Sequence, residues 1–294
     1  MTATSQHAPE GTPRRLTDRS GAFLTHASLL GLTAFYFVLL VRLPFWAAFI
    51  PCVVLVHRIG IMIHEYFHGI TLKTYRDNLA VVTLWDGIMM TYGMLEVVRG
   101  AHLAHHKWTN QAQPGEDHHH DSAHEPGGFR LSMALDSLRH LNWLADGLRG
   151  KRPYVRPGRI VAGFLLSLFV IAGWILVGHG EIVWQSLVTV AFTVTGPMSL
   201  RGAIEHSSQP GNPDFANEYT TFLPIFNINR HIHHHEDTTV PWYALEWRTQ
   251  RPLPASSYFT RWIRLYITKE LVPMQPPPKR RARARRGDGG PGGA

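Results

Sequence analysis

Apolar positions in this chain are gathered into long runs, and histidines collect where those runs end. Residues 21–41 form one run long enough to cross a bilayer, for which about 20 apolar residues suffice. Arg42 and Pro44 interrupt it, and 45–63 continues as a second apolar stretch. So short a break predicts a helical hairpin whose outer ends lie on one side of the membrane. His57 and Arg58, near the end of the second helix, belong on a face turned to the bundle or the interface. Residues 79–98 are also apolar, but Asp86, Gly87 and Gly93 break them, which predicts a re-entrant or interfacial segment. Residues 160–177 and 182–200 predict a second hairpin joined at 178–181, with Pro197 placed to kink its last turns. The expectation is an all-α integral membrane protein, four transmembrane helices in two hairpins with a histidine-rich cap on the cytoplasmic side.

Less apolar segments fill in the outline. Residues 131–148 mix apolar positions with Arg139, His140 and Asp146, the pattern of an amphipathic helix lying on a membrane. Residues 114–128 read as loop, and His118–His120 and His124 within it as a loosely ordered histidine tract. Residues 256–271 predict a short amphipathic helix; both an interfacial anchor using Trp262 and Tyr266 and an ordinary helix packed on the cap fit it. The domain itself is expected over 21–272, between a polar tail at 1–20 and a Pro-, Arg- and Gly-rich tail at 273–294, both read as disordered.

Charge sets the orientation. The formal net charge of +8 is concentrated at Arg14, Arg15, Arg19 and in 279–286. Beside hydrophobic hairpins, such clusters point to an anionic membrane surface. No aromatic–basic module supports nucleic-acid binding. The basic stretch 149–159 marks the cytoplasmic side, so both termini and every histidine cluster fall on that face. The first residues lack the apolar core of a cleaved secretory signal, and an inner (cytoplasmic) membrane is the expected location. A single cysteine, Cys52, excludes an intramolecular disulfide and a thiolate metal site.

Three histidine clusters then change the picture: His64 and His68; His102, His105 and His106; His231, His234 and His235. Spacings of three and four residues return side chains to one helix face, so each cluster aims imidazoles at a common point. Imidazole is the commonest protein metal ligand, and convergence of several is hard to attribute to packing. His233 falls off this spacing and is left out of the set.

The order HxxxH, then HxxHH, then Glu205-His206, then HxxHH resembles the membrane fatty acid desaturase superfamily, which includes lipid hydroxylases and carotenoid ketolases. The resemblance covers about residues 20–250 and brings the lone His206 into the candidate set. Nine candidate ligands follow: His64, His68, His102, His105, His106, His206, His231, His234 and His235. Four would saturate a zinc site, so nine suit two metals, and imidazole fields with open positions suit iron and dioxygen. The resemblance implies the same cofactor, two iron ions in a non-haem di-iron centre. It also implies the reaction, O2-dependent desaturation of a fatty acyl chain carried on a lipid, coenzyme A or acyl carrier protein.

The first box, HxxxH, differs from the HxxxxH of acyl-CoA desaturases and is closer to acyl-lipid desaturases, hydroxylases and ketolases. His231 in place of Gln argues against front-end desaturases. Without a fused cytochrome b5 His-Pro-Gly-Gly motif, the expected electron donor is a separate ferredoxin-like protein. Glu65, Asp117, Glu205, Glu236 and Asp237 are candidate outer partners of ligating rings, Asn110 a candidate orienter or turn cap, and Pro241-Trp242-Tyr243 a candidate shaper of the substrate entrance or an interfacial anchor. The runner-up reaction is hydroxylation or ketolation. A distant rival, a membrane metal transporter, predicts ionisable groups near the middle of the spans, and the apolar runs are nearly free of them.

Overall fold

Among the described residues of the computed structural model, which are 18–108, 141–152, 154–206 and 231–245, every regular element is helical. Helices α1 (Asp18–Arg42) and α2 (Phe45–Phe67) form the expected first hairpin. Pro44 makes the break: with φ −60° and ψ 142° it stands in extended conformation just before α2. Its ring favours that geometry and would disrupt a continuous helix. The second helix does not stop with the apolar run at 63. It continues through the first histidine cluster, placing His64 in its last turn and His68 at its C-cap.

The broken apolar segment is a helix–turn–helix, α3 (Tyr75–Ile88) and α4 (Met94–Trp108). Asp86 organises the turn, its Oδ1 accepting from Thr91 Oγ1 at 2.5 Å and from the Gly93 amide at 2.8 Å. Met90 and Tyr92 take positive φ there, and so does Gly93, where a Cβ would lie 2.6 Å from the Ile160 carbonyl oxygen. Such a turn survives because its surroundings overdetermine it: Ser167 receives the Tyr92 amide at 3.1 Å and donates to the Asp86 carbonyl at 3.2 Å.

The chain then forms α5 (Pro157–Leu176), α6 (Glu181–Thr193), a π turn (Val194–Met198) and α7 (Ser199–His206). A last short helix, α8 (His231–Glu236), carries the third histidine cluster. Three helices are long and apolar enough to cross a membrane: Ser20–Arg42, Phe45–Phe67 and Pro157–Leu176. The fourth apolar stretch, expected as one span over 182–200, is a 13-residue α-helix that passes through the π turn into α7. Pro197 lies inside that π turn and has no amide to donate, so the expected kink takes the form of a widened turn.

Trp46, Phe169 and Leu176 are 82%, 77% and 85% exposed, as side chains facing lipid would be. Lipid is as apolar as Leu29 or Ile182, so burial alone does not hold such a bundle; packing and polar links between helices do. Tyr36 donates to Ser186 at 2.8 Å, joining α1 to α6, and Trp85 Nε1 donates to Thr33 at 3.0 Å, joining α3 to α1. Each such link contributes about 0.6 kcal/mol in lipid. Of the amphipathic segment expected at 131–148, residues 141–148 are helical. The loop expected at 114–128, the helix expected at 256–271, the tail at 273–294 and residues 1–17 lie outside the described residues, whereas residues 18–20, expected in the N-terminal tail, open α1.

Candidate metal centre

Each box is delivered by a helix that another part of the fold pins in place. After His68 the chain must turn sharply into α3, and Asn78 fixes that turn by accepting from the Thr71 and Leu72 amides at 3.2 and 3.0 Å. Just before His102, Arg99 Nε donates to Glu96 Oε2 at 2.8 Å, and the pair is almost fully buried. Glu96 also accepts from the Arg156 amide at 2.9 Å, and Arg99 reaches the Tyr154 carbonyl, so the second box is tied to the start of α5.

The boxes meet at one end of the bundle. Five histidines form one group, His64, His68, His102, His106 and His234; three form another, His105, His231 and His235. Within the first group the Nε2 atoms run in sequence at close range: His64 to His68 at 3.3 Å, His68 to His102 at 3.0 Å, His102 to His106 at 2.9 Å and His106 to His234 at 3.1 Å. In the second, His231 and His235 Nε2 are 3.0 Å apart. The groups abut, with the His106 and His235 rings 4.3 Å apart.

These distances test whether a metal fits. A neutral imidazole offers one N–H and one lone pair, so a chain of mutually facing Nε2 atoms makes poor hydrogen bonds. Ligand bonds of about 2.1 Å place adjacent donor atoms about 3.0–3.4 Å apart, the spacing seen here. Protonation points the same way. Burial, then the charge of neighbouring histidines, holds His102 and His234 well below the ordinary imidazole range. Burial and then His64 do the same for His68. Neutral rings keep lone pairs free for a metal at neutral pH.

The two HxxHH boxes divide in the same manner. His102 and His106, four apart, serve the first group, while His105 turns to the second. His231 and His235 serve the second group, while His234 turns to the first. Neighbouring helix positions are about 100° apart, so one box presents donors to two centres. The sequence placed these residues in a single pool; the division is a structural result. His206 ends α7, and its side chain lies outside the described residues. His233 belongs to neither group.

Among the expected outer partners, Glu65 Oε1 lies 3.8 Å from His64 Nδ1, on the side of the ring away from the cluster. Its Oε2 accepts from the Trp242 amide at 3.2 Å, and Trp242 Nε1 donates to Thr25 at 3.2 Å. Pro241-Trp242-Tyr243 therefore closes the chain after the third box onto α1 and α2. Glu205 Oε2 faces His231 Nε2 at 3.6 Å, and its Oε1 pairs with Arg201 at 3.2 Å. Asp237 accepts from the amide and hydroxyl of Thr239, shaping the turn after α8. Asp117 and Asn110 lie outside the described residues, as does the side chain of Glu236.

Sequence reasoning passed over Asn78, Glu96 and Arg99. A charged pair three apart just ahead of a histidine box was visible, but its burial depends on the return of residues 154–156. No curated protein and no solved structure matches the chain. A family model described as fatty acid desaturase matches residues 44–262.

Proposed function

This chain belongs to the fatty acid desaturase family, and from that premise we propose that it is a membrane-bound, O2-dependent desaturase that introduces a C=C bond into a lipid acyl chain. The observation that carries the reading is the gathering of eight histidines, from three separated boxes, into two adjoining groups of donor atoms. His64, His68, His102, His106 and His234 would hold one iron, His105, His231 and His235 the second, with His206 the ninth expected ligand.

Bound iron would supply the activation of O2 needed to break an unactivated C–H bond. The protein's own part is placement and protection. The long helices carry the first two boxes, the Glu65 carboxyl group lies 3.8 Å from His64 Nδ1, and the burial of His64, His105, His231 and His234 keeps bulk water from their rings. The balance of the reaction is simple: two hydrogens leave adjacent carbons, and O2 is reduced to two waters. The remaining two electrons come from an external donor, a ferredoxin-like protein, with two protons from solvent.

The apolar exterior of α1, α2 and α5 supports a lipid setting, with α6 and α7 together as a fourth crossing. Both termini and the metal centre would face the cytoplasm, in the inner membrane, beneath the basic stretch 149–159. An acyl lipid, acyl-CoA or acyl carrier protein would present the chain from that side.

The test is product analysis. Protein purified in detergent, supplied with membrane lipids, O2 and reduced ferredoxin, is expected to yield unsaturated acyl chains by gas chromatography and mass spectrometry. Hydroxylated chains or ketolated carotenoids would assign the reaction to the sister chemistries. Both follow removal of a first hydrogen and differ in whether a second is lost, a choice made by substrate placement. Unchanged lipids would contradict an oxygenase of either kind.

A further inference from the structure

The helix faces that carry the histidines of α2 and α4 are less closely covered beneath those rings than at them. His64 and His102 meet there with ring centroids 4.4 Å apart. One and two turns earlier on the same faces stand Gly60 and His57 of α2, and Val98 and Leu95 of α4. All of these are half-buried, although their neighbours on the other faces, Ile59 and Ile61 of α2 and Val97 and Arg99 of α4, are buried. A face turned into a close-packed interior is covered along its length. These two are closed only where the rings gather.

Gly60 lies about 6 Å before His64 along the axis of α2, and one side chain reaches it. Among the described residues, a Cβ at Gly60 would collide with Met198 Cε and come within 3.9 Å of Met198 Sδ. The glycines at 87 and 93 are different: a Cβ there would meet the backbone of α5, at 3.2 Å and 2.6 Å. Those two let helices approach one another, whereas Gly60 receives the free end of a side chain. Met198 is half-buried and ends the π turn, which contains Pro197 and is crossed by a 2.8 Å hydrogen bond from Ser199 Oγ to the Val194 carbonyl. The widened turn thus brings a thioether to the face below the five-histidine group. Methionine is unbranched and flexible, so it fills irregular space without fixing it.

We infer that the methyl end of the substrate's acyl chain is seated on this face, against Gly60, Val98 and Leu95, and that Met198 is the movable stop that limits how long a chain fits. A lipid held from the cytoplasmic side extends its chain past the histidines into the bundle, so the methyl end arrives where Met198 lies over Gly60. His57, about one turn further along α2, is polar, and a hydrocarbon end gains nothing by passing it. Met198 is thereby a specificity-determining residue that meets the chain and leaves the metal ions to the histidines.

The inference rests on the acyl-lipid reading of the site, and two readouts keep them apart. Saturated acyl lipids of graded chain length are bound at equilibrium to the purified, Fe(II)-loaded full chain, and their products are scored by gas chromatography and mass spectrometry. Wild type is compared with Met198→Ala, Gly60→Ala and the double variant, with iron content measured in each. Met198→Ala should move the preferred length toward longer chains in both readouts. Gly60→Ala drives the methionine end out of its notch and into the seat, and should move the preference toward shorter ones. Each methylene that gains or loses its place should change kcat/KM by about 10-fold. The double variant should return close to the wild-type length, a cancellation that a merely structural defect would not produce. Iron content should stay at the wild-type level throughout. A preferred length unmoved in both single variants, in a protein that still oxidises its lipid, would overturn the inference and leave the functional reading intact. Iron lost from Met198→Ala would also overturn it, by making the residue a support of the metal centre. Shifted binding by a chain that oxidises no lipid would uphold the seat and overturn the proposed reaction.

Discussion

The five-histidine and three-histidine groups use the same side chain, the same Nε2 atom and overlapping boxes, yet they depend on the fold differently. The first has its donors on the ends of long helices, α2 and α4, whose turns Asn78, Glu96 and Arg99 hold in place, with one ring from α8. The second takes one ring from α4 and two from the six-residue α8, with Glu205 of α7 opposite. Redundancy and helix length make the first group tolerant. The second has few donors, and a short helix alone is not stable in water. The pair should therefore respond unequally to equivalent substitutions.

The largest effect is expected where the groups touch. His106 donates within the first group, and its ring lies 4.3 Å from that of His235. His106→Ala should remove most iron from both sites and lower turnover by on the order of 100-fold or more, measured by metal analysis and product formation. Equal retention of iron would mean that the groups do not share a border.

Next comes the direct contrast. His231→Ala takes one of three imidazoles, and His68→Ala one of five. The first should cost about one iron per chain; the second should keep both while slowing turnover. Equal losses would erase the proposed asymmetry.

Smaller effects should follow from the side chains behind the rings. Glu65→Gln keeps its volume and an oxygen for the Trp242 amide but replaces the carboxyl group 3.8 Å from His64 Nδ1. Iron should be retained, with turnover falling about 10-fold. Trp242→Phe removes the indole donor to Thr25 at 3.2 Å, at a cost of about 1 kcal/mol in stability. Unfolding in detergent would measure it, and turnover should change only slightly.

The same contrast explains what the chain disclosed in advance. Box spacing is local: residues four apart share a helix face wherever the helix goes, so the eight histidines that the fold gathers were legible. The break at Pro44 and the interruption at Asp86 to Gly93 were legible for a similar reason, since proline, glycine and a buried acid act on their immediate neighbours. The division of each HxxHH box between two centres was not legible, because it depends on the rotation of α4 and α8 about their axes. Glu205 was visible as an outer partner but not as a group facing Nε2. Its placement depends on the π turn and on the 25 residues between it and His231. The fourth apolar stretch showed its length and its Pro197, but not the widened turn that divides it.

The central claim, that eight histidines from three boxes gather to hold two ions, is met most directly by metal analysis of the detergent-purified, Fe(II)-loaded chain beside His106→Ala. The account predicts about two irons in the wild type and marked loss in the variant. A single zinc per chain, or iron content untouched by the substitution, would contradict it.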